Sequence, residues 1–285
     1  MYMSRLFLFL VLNSSILASA QHKKAYTIFT STGVQIGYNA VIDSLQKKEI
    51  ILFGEQHNSA ISHWLQYEIS KDLSKTNRLI LGAEMIEADN QKVLNRYLVG
   101  EIDQKGLDTL ARLWKNYKTD YKPLIDLAKN DTLPFIATNI PRNFANLVFK
   151  NGFKALDSLS VEDKSWIAPL PIVFDANLAT YKNILTMMGE HGTPELVMAQ
   201  AIKDATMAHF ILRNYEKKHT FIHFNGAYHS DNYEGILWYL KNKNKSLKYA
   251  TLSTLTQSQL DTLEIQHLGK ADFIIVVDAN VTTTY

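Results

Sequence analysis

The sequence predicts an α/β protein, a mostly parallel sheet with helices on both faces and a small helical insertion subdomain. Three observations carry this. Short apolar runs such as IILF (50–53) lack polar alternation, as strands buried on both faces do. Segments with apolar residues at helical spacing separate them, so strand and helix alternate and imply right-handed crossovers. The 285 residues are 46% hydrophobic and 20% charged, the composition of one large domain with a sizeable core.

Element by element, MYMSRLFLFLVLNSSILASA comes first, with Arg5, an apolar stretch from Leu6 to Leu12 and a small-x-small end at Ala18-Ser19-Ala20. This is the layout of a signal peptide over residues 1–20, cleaved before Gln21. Asn13, Ser14 and Ser15 break the run short of the ~20 apolar residues of a membrane span. Residues 21–285 then form the α/β domain. AYTIFTSTGVQIGY (25–38) reads as a hairpin around Gly33, AVIDSLQKKE (40–49) as a helix and IILF as a buried strand. The next helix places Ile61, Trp64, Leu65, Ile69 and Leu73 behind a cap at Asn58 or Ser59. LILGAEM (79–85) is a strand, and NQKVLNRYLVG (90–100) a helix ended by Gly100. Helix 121–131, strand PFIATNI (134–140) and helix 143–152 follow. The longest helix spans 194–219 and feeds strand FIHF (221–224). A helix over 234–243 and the strands YATLSTL and ADFIIVVDA close the chain. Residues 153–193 fit the rhythm poorly and are predicted to form the helical insertion.

Charge and motifs exclude several function classes. The net charge of +2 comes from intermixed charges, which excludes an obvious nucleic-acid partner. There is no cysteine, hence no disulfide, no thiolate ligand or nucleophile, and no site for a lipid on cysteine. GxSxG, Walker A, HExxH and GxGxxG patterns are absent. The protein is expected to be exported and soluble, periplasmic or secreted.

Ligands of open parallel sheets bind beyond the carboxyl ends of the strands. Here those ends deliver Gly54-Glu55-Gln56-His57, Glu84, Thr138-Asn139-Ile140-Pro141-Arg142 and Asn225-Gly226-Ala227-Tyr228-His229. Glu55, His57, Glu84 and His229 are therefore expected in one cleft, with Glu84 within ~10 Å, about two strand spacings, of His57. A carboxylate placed as Glu84 is, against apolar LILGA, needs a partner, which His57 or Arg142 supplies. Carboxylates with imidazoles suit a divalent metal ion and an activated water, or metal-free acid/base hydrolysis. Gly54 and Gly226 allow close approach of a ligand. Asp204 shares a helix face with Gln200 and Met207 and either reaches the cluster or is solvated. In the insertion, Tyr181, Ile184, Leu185 and Met188 recur as a packing stripe. Tyr181, Met187, Met188, His191 and Met198 also suit a flat apolar ligand with a polar handle.

The pieces LFGEQHN, GAEM, NQKVLNRYLVG, Trp114…Tyr117…Tyr121-Lys-Pro-Leu, PFIATNIPR, AQAIKDATMA and FNGAYHSDNYEGI together resemble the ChaN-like haem-binding proteins, within a wider group of Tiki-type and erythromycin-esterase-like proteins. They run in order over most of the chain. The resemblance implies an exported haem-binding protein of haem and iron acquisition. It also implies haem held through a tyrosine at a homodimer interface, and outer-membrane haem uptake machinery as a partner. Wider relatives imply a hydrolase alternative built on Glu55, His57, Glu84 and His229. Location and chemistry pick Tyr181 as the axial oxygen ligand, with His191 and Met188 beside it and Arg142 and Asn225 as further cofactor contacts. His57 or His229 is the competing iron ligand. Typical members carry a lipidated Cys after the signal peptide; here Gln21 stands there, so membrane anchoring does not carry over.

Overall fold

The computed structural model describes residues 23–285, so the expected signal peptide and its cleavage before Gln21 lie outside the described residues. β1 (Tyr26–Thr30) and β2 (Gln35–Ile36) form the N-terminal hairpin, turning at Gly33 with φ +82°. α1 (Tyr38–Leu45) leads to β3 (Ile50–Glu55), whose six residues are all buried. α2 (Ala60–Ser74) is capped by Ser59, whose hydroxyl accepts from the Ser62 amide. β4 (Arg78–Glu87), α3 (Gln91–Leu98), α4 (Gln104–Leu110), α5 (Lys122–Asn130), β5 (Phe135–Asn139) and α6 (Arg142–Asn151) follow. Strands run two to three residues beyond their apolar runs, because β3 and β4 carry their carboxylates inside the ladder rather than after it.

The eight strands form one sheet in the order β2-β1-β8-β7-β3-β6-β4-β5, where β6 is His219–Gly226, β7 Tyr249–Gln257 and β8 Phe273–Asp278. From β8 to β5 all neighbours are parallel, and β1 runs antiparallel to both β8 and β2 at one edge. One face carries α1, α2, α3 and α5 over Phe53, Leu81, Ile222 and Leu252. The other carries α9 (Pro194–Asn214) and α10 (Ile236–Lys243) over Leu52, Ile80 and Phe221. α9 stops five residues earlier than the spacing suggests, where Tyr215 turns to extended backbone, and Lys218 at φ +70° then directs the chain into β6.

Residues 153–193 hold short helical pieces: a 3-10 segment Phe153–Ser158, α7 (Val161–Lys164), α8 (Ala179–Met188) and a 3-10 turn Gly189–His191. The N-terminus of α8 has no cap of its own. The Glu234 carboxylate accepts from the Ala179 amide (3.0 Å) and the Thr180 amide (2.6 Å), satisfying orphan donors and opposing the helix dipole. This anchor holds α8 over the carboxyl edge of the sheet. Among the described residues no helix is long and apolar enough to cross a membrane.

Candidate functional site: a cleft at the carboxyl edge

Two buried polar networks end the central strands. At the tip of β3, one Glu55 oxygen accepts from the Tyr121 hydroxyl (2.6 Å) and bonds His57 Nδ1 (2.9 Å), while the other accepts from the Gln66 amide. A 3% exposed carboxylate is stabilised by such a donor set. The His57 side chain stays 40% exposed, its ring edge-on to Trp114. Burial disfavours its charge, yet the Glu55 hydrogen bond and the nearby Glu84 outweigh burial and raise its pKa.

The second network starts on β4. Glu84 accepts from the Gly226 amide (2.8 Å) and from His229 Nε2 (3.2 Å). His229 Nδ1 donates to Asp204 (2.5 Å), and the other Asp204 oxygen accepts from the Tyr181 hydroxyl (2.9 Å). Burial opposes charge on His229, but the two carboxylates override it and push its pKa up to about 10. Burial likewise opposes ionisation of Glu84, and the His229 charge overrides it, holding this carboxyl well below the usual carboxylate range. For Asp204 burial wins and its pKa is raised. The set is an ionised Glu84 paired to an imidazolium that also donates to Asp204.

Gly226 lies between the networks. A Cβ there would sit 2.8 Å from His57 Cε1 and 3.6 Å from a Glu84 oxygen. The structure thus brings Glu55, His57, Glu84 and His229 to one place, with His57 and Glu84 on either side of one missing side chain. Gly54 is similarly tight, its Cβ position 3.0 Å from the Ala227 backbone. A third imidazole, His223 in mid-β6, bonds Thr138 (2.7 Å) and Asn225 (3.0 Å), and burial drops its pKa to about 4.

These networks floor a cleft of about 600 Å³. His57, His229, Gln200 and Gly226 form its base, Thr254 to Thr256 of β7 one side, and Ile184, Met187 and Met188 of α8 the other. Tyr228 stands at the rim, 50% exposed, its hydroxyl 3.2 Å from Met187 Sδ. Asp204 and Gln200, on one face of α9, both reach the cluster through His229.

Several expected site residues fall elsewhere. Tyr181 is fully buried, its hydroxyl held by Asp204, its ring stacked on Phe174. Burial and the Asp204 charge raise its pKa strongly, so it offers the cleft neither an open oxygen nor a phenolate. Arg142 opens α6 beside the edge strand β5, exposed and outside the cleft; the partner of Glu84 is His229. His191 is exposed in the turn after α8 and does not line the cleft. Asn225 is 1% exposed and spent on His223 and Ser230. Met198 packs with α6 in a separate apolar cluster. Among the described residues no group of three or more His, Asp or Glu side chains is placed to hold a metal ion; both ring nitrogens of His229 and the oxygens of Glu55 and Glu84 are engaged within the two networks. His229, held as an imidazolium between two carboxylates, is no general base at neutral pH, so it does not carry the base role in the hydrolase alternative. Sequence reading missed Tyr121, Gln66 and Tyr228 as site residues. Tyr121 and Gln66 come from helices whose facing toward Glu55 no local pattern announces, whereas Tyr228 lay beside His229 in the same strand-end motif.

The sequence profile of a family described as "Haem-binding uptake, Tiki superfamily, ChaN" matches residues 41–240. The chain belongs to this family of haem-binding uptake proteins. Among solved structures, the fold is similar to ChaN of Campylobacter jejuni, described as binding haem cofacially, with a TM-score of 0.68 at 18% identity over 90% of this chain and 98% of that one. A Bacillus cereus protein is similar with a TM-score of 0.52 at 13% identity, over 84% and 90%. A succinoglycan biosynthesis protein matches with a TM-score of 0.51 at 10% identity, over 84% and 90%. No curated protein matches the sequence significantly.

Proposed function

We propose that the protein is exported, matures at Gln21, and binds haem in the cleft between α8 and the strand ends, as a carrier in haem and iron acquisition. The observation that carries this is the pairing of surfaces in one cavity: a thioether and aliphatic wall on α8, and polar groups aimed in from β3, β6 and α9. At about 600 Å³ it lies within the ~300–1,000 Å³ of ordinary ligand sites. A planar macrocycle needs wide apolar contact and one strong ligand, and methionines adapt well to such a face.

The family resemblance implies a tyrosine ligand, and Tyr228 is the tyrosine this cleft presents. A phenolate oxygen suits ferric iron. His57 is the competing ligand, half-open at the base. Met187, Met188 and Tyr228 are 66%, 44% and 50% exposed around the mouth, an apolar rim that a second copy would cover over the bound macrocycle; release to outer-membrane uptake machinery is what the family resemblance implies.

Haemin titration of the wild type, Tyr228→Phe, Tyr181→Phe and His57→Ala tests the reading. Wild type and Tyr181→Phe should share a high-spin ferric spectrum with a phenolate charge-transfer band, and Tyr228→Phe should lose it. Loss in His57→Ala alone moves the ligand to the imidazole. Wild-type binding no better than that of an apolar control protein ends the haem reading.

A further inference from the structure

A second cavity, of about 390 Å³, lies on the far part of α9 and shares no lining residue with the cleft. Its walls are Ala205, Ala208 and Leu212 of α9, Tyr239 of α10, and Ile172 and Val173 of the segment before α8. Both sides are fixed. The Ala168 amide donates to Thr206 on α9 (3.1 Å), and the Tyr239 hydroxyl donates to the Val173 carbonyl (2.8 Å), so Tyr239 spends its polar end on the wall and turns its ring to the groove. A groove pinned this way is preformed for a ligand.

Its charged groups, Arg213 and Lys243, are of one sign. His209, Arg213 and Lys243 line it, and no acidic residue does. Arg213 and Lys243 are exposed in the last turns of α9 and α10, and neither forms an ion pair among the described residues. Their field is felt locally: after burial, these two cations are what hold the His209 pKa below its ordinary value. Helix C-termini attract cations in any protein. Two of them converging on one apolar groove without a carboxylate is a different matter, because it leaves an unanswered positive charge beside buried hydrocarbon surface.

We propose that this groove binds a single-chain amphiphile with an anionic head, a fatty-acid-like carboxylate, its tail along α9 and Tyr239 and its head between Arg213 and Lys243. The tail supplies affinity by leaving water, and the head supplies orientation. This proposal is independent of the haem reading.

Calorimetric titration of the mature chain with octanoate, decanoate and dodecanoate, all below micellar concentrations, and with dodecanol, tests it. Saturable one-to-one binding should tighten about fourfold per added methylene while the tail still enters the groove. Dodecanol should bind at least tenfold more weakly than dodecanoate. Arg213→Glu combined with Lys243→Glu should weaken dodecanoate at least tenfold, with an unchanged thermal melt and haemin titration. A flat chain-length series, equal binding of alcohol and acid, or binding only to micelles or anionic vesicles overturns the proposal. The acid–alcohol comparison uses the wild type and decides even where the double variant melts early.

Discussion

At the floor of the cleft Glu84 and His229 are each 6% exposed and Asp204 is fully buried, whereas opposite them on α8 Met187 and Met188 are 66% and 44% exposed. The floor is polar and saturated: every charged atom has a named partner, and removing one strands another. The α8 wall is apolar and nearly free, held by a remote carboxylate at its N-terminus and by Tyr181 beneath it. The contrast separates two tasks that the sequence invites one to merge. Buried charge at the strand ends fixes the shape of the base, and exposed methionine supplies the adaptable surface. Tyr181 belongs to the first task although it lies on the element that performs the second.

The largest expected effect breaks the floor. Glu84→Gln leaves the His229 imidazolium without its ionised partner and should destabilise the fold by about 3–5 kcal/mol near pH 6. The pH dependence sharpens this. The His229 pKa is raised from its ordinary 6.5 to about 10 in the folded state, so its stabilising contribution is fully present below about pH 6.5 and is lost as pH rises through 10. Urea unfolding at pH 6 and pH 9.5 should therefore show wild-type stability falling between the two, and the Glu84→Gln deficit shrinking. An equal deficit at both pH values together with wild-type stability that does not fall means that His229 is neutral throughout.

Gly226→Ala tests where the two networks meet. The new Cβ would stand 2.8 Å from the His57 ring, which must swing off Glu55 to admit it. The cost should be about 1–3 kcal/mol, with a loss of haemin affinity because the displaced ring enters the cleft. An unaltered haemin titration separates the cleft floor from the ligand site.

Most of the sheet was legible because β3, β4 and β6 write their burial as unbroken apolar runs, and the place of the polar residues followed from parallel strands sharing a carboxyl edge. Asp204 was legible as a face-mate of Gln200 on a helix. The direction of Tyr181 was not. The spacing of Tyr181, Ile184, Leu185 and Met188 fixes a stripe but not which member meets solvent, and here Tyr181 points inward to Asp204 while Met187 and Met188 point out. Tyr121 was invisible as a Glu55 donor for a related reason: it closes an irregular helical turn at Tyr117–Tyr121, where periodicity does not apply.

Tyr181→Phe follows from that inward orientation. It removes one donor from a buried carboxylate and should cost about 1–2 kcal/mol, while leaving the haemin spectrum unchanged. A lost charge-transfer band would return the iron to Tyr181 and require α8 to open.

The smallest effect on stability isolates the exposed wall. Met187 is two-thirds exposed, and its sulfur touches only the Tyr228 hydroxyl among polar groups. Met187→Ala should leave stability within about 0.5 kcal/mol, the ordinary range for a surface site. The same truncation removes a thioether from the surface on which a macrocycle would lie. Sulfur–aromatic contacts are worth roughly 0.3–1.5 kcal/mol, so haemin affinity should fall by roughly two- to tenfold. Glu84→Gln should give the reverse proportion, a large loss of stability for whatever binding change accompanies it. Measured side by side by urea unfolding and haemin titration, the two variants place shape and contact on opposite walls. If Met187→Ala changes neither quantity, α8 does not form the ligand's face, and the apolar half of the proposed haem site must be sought on β7 at Leu255.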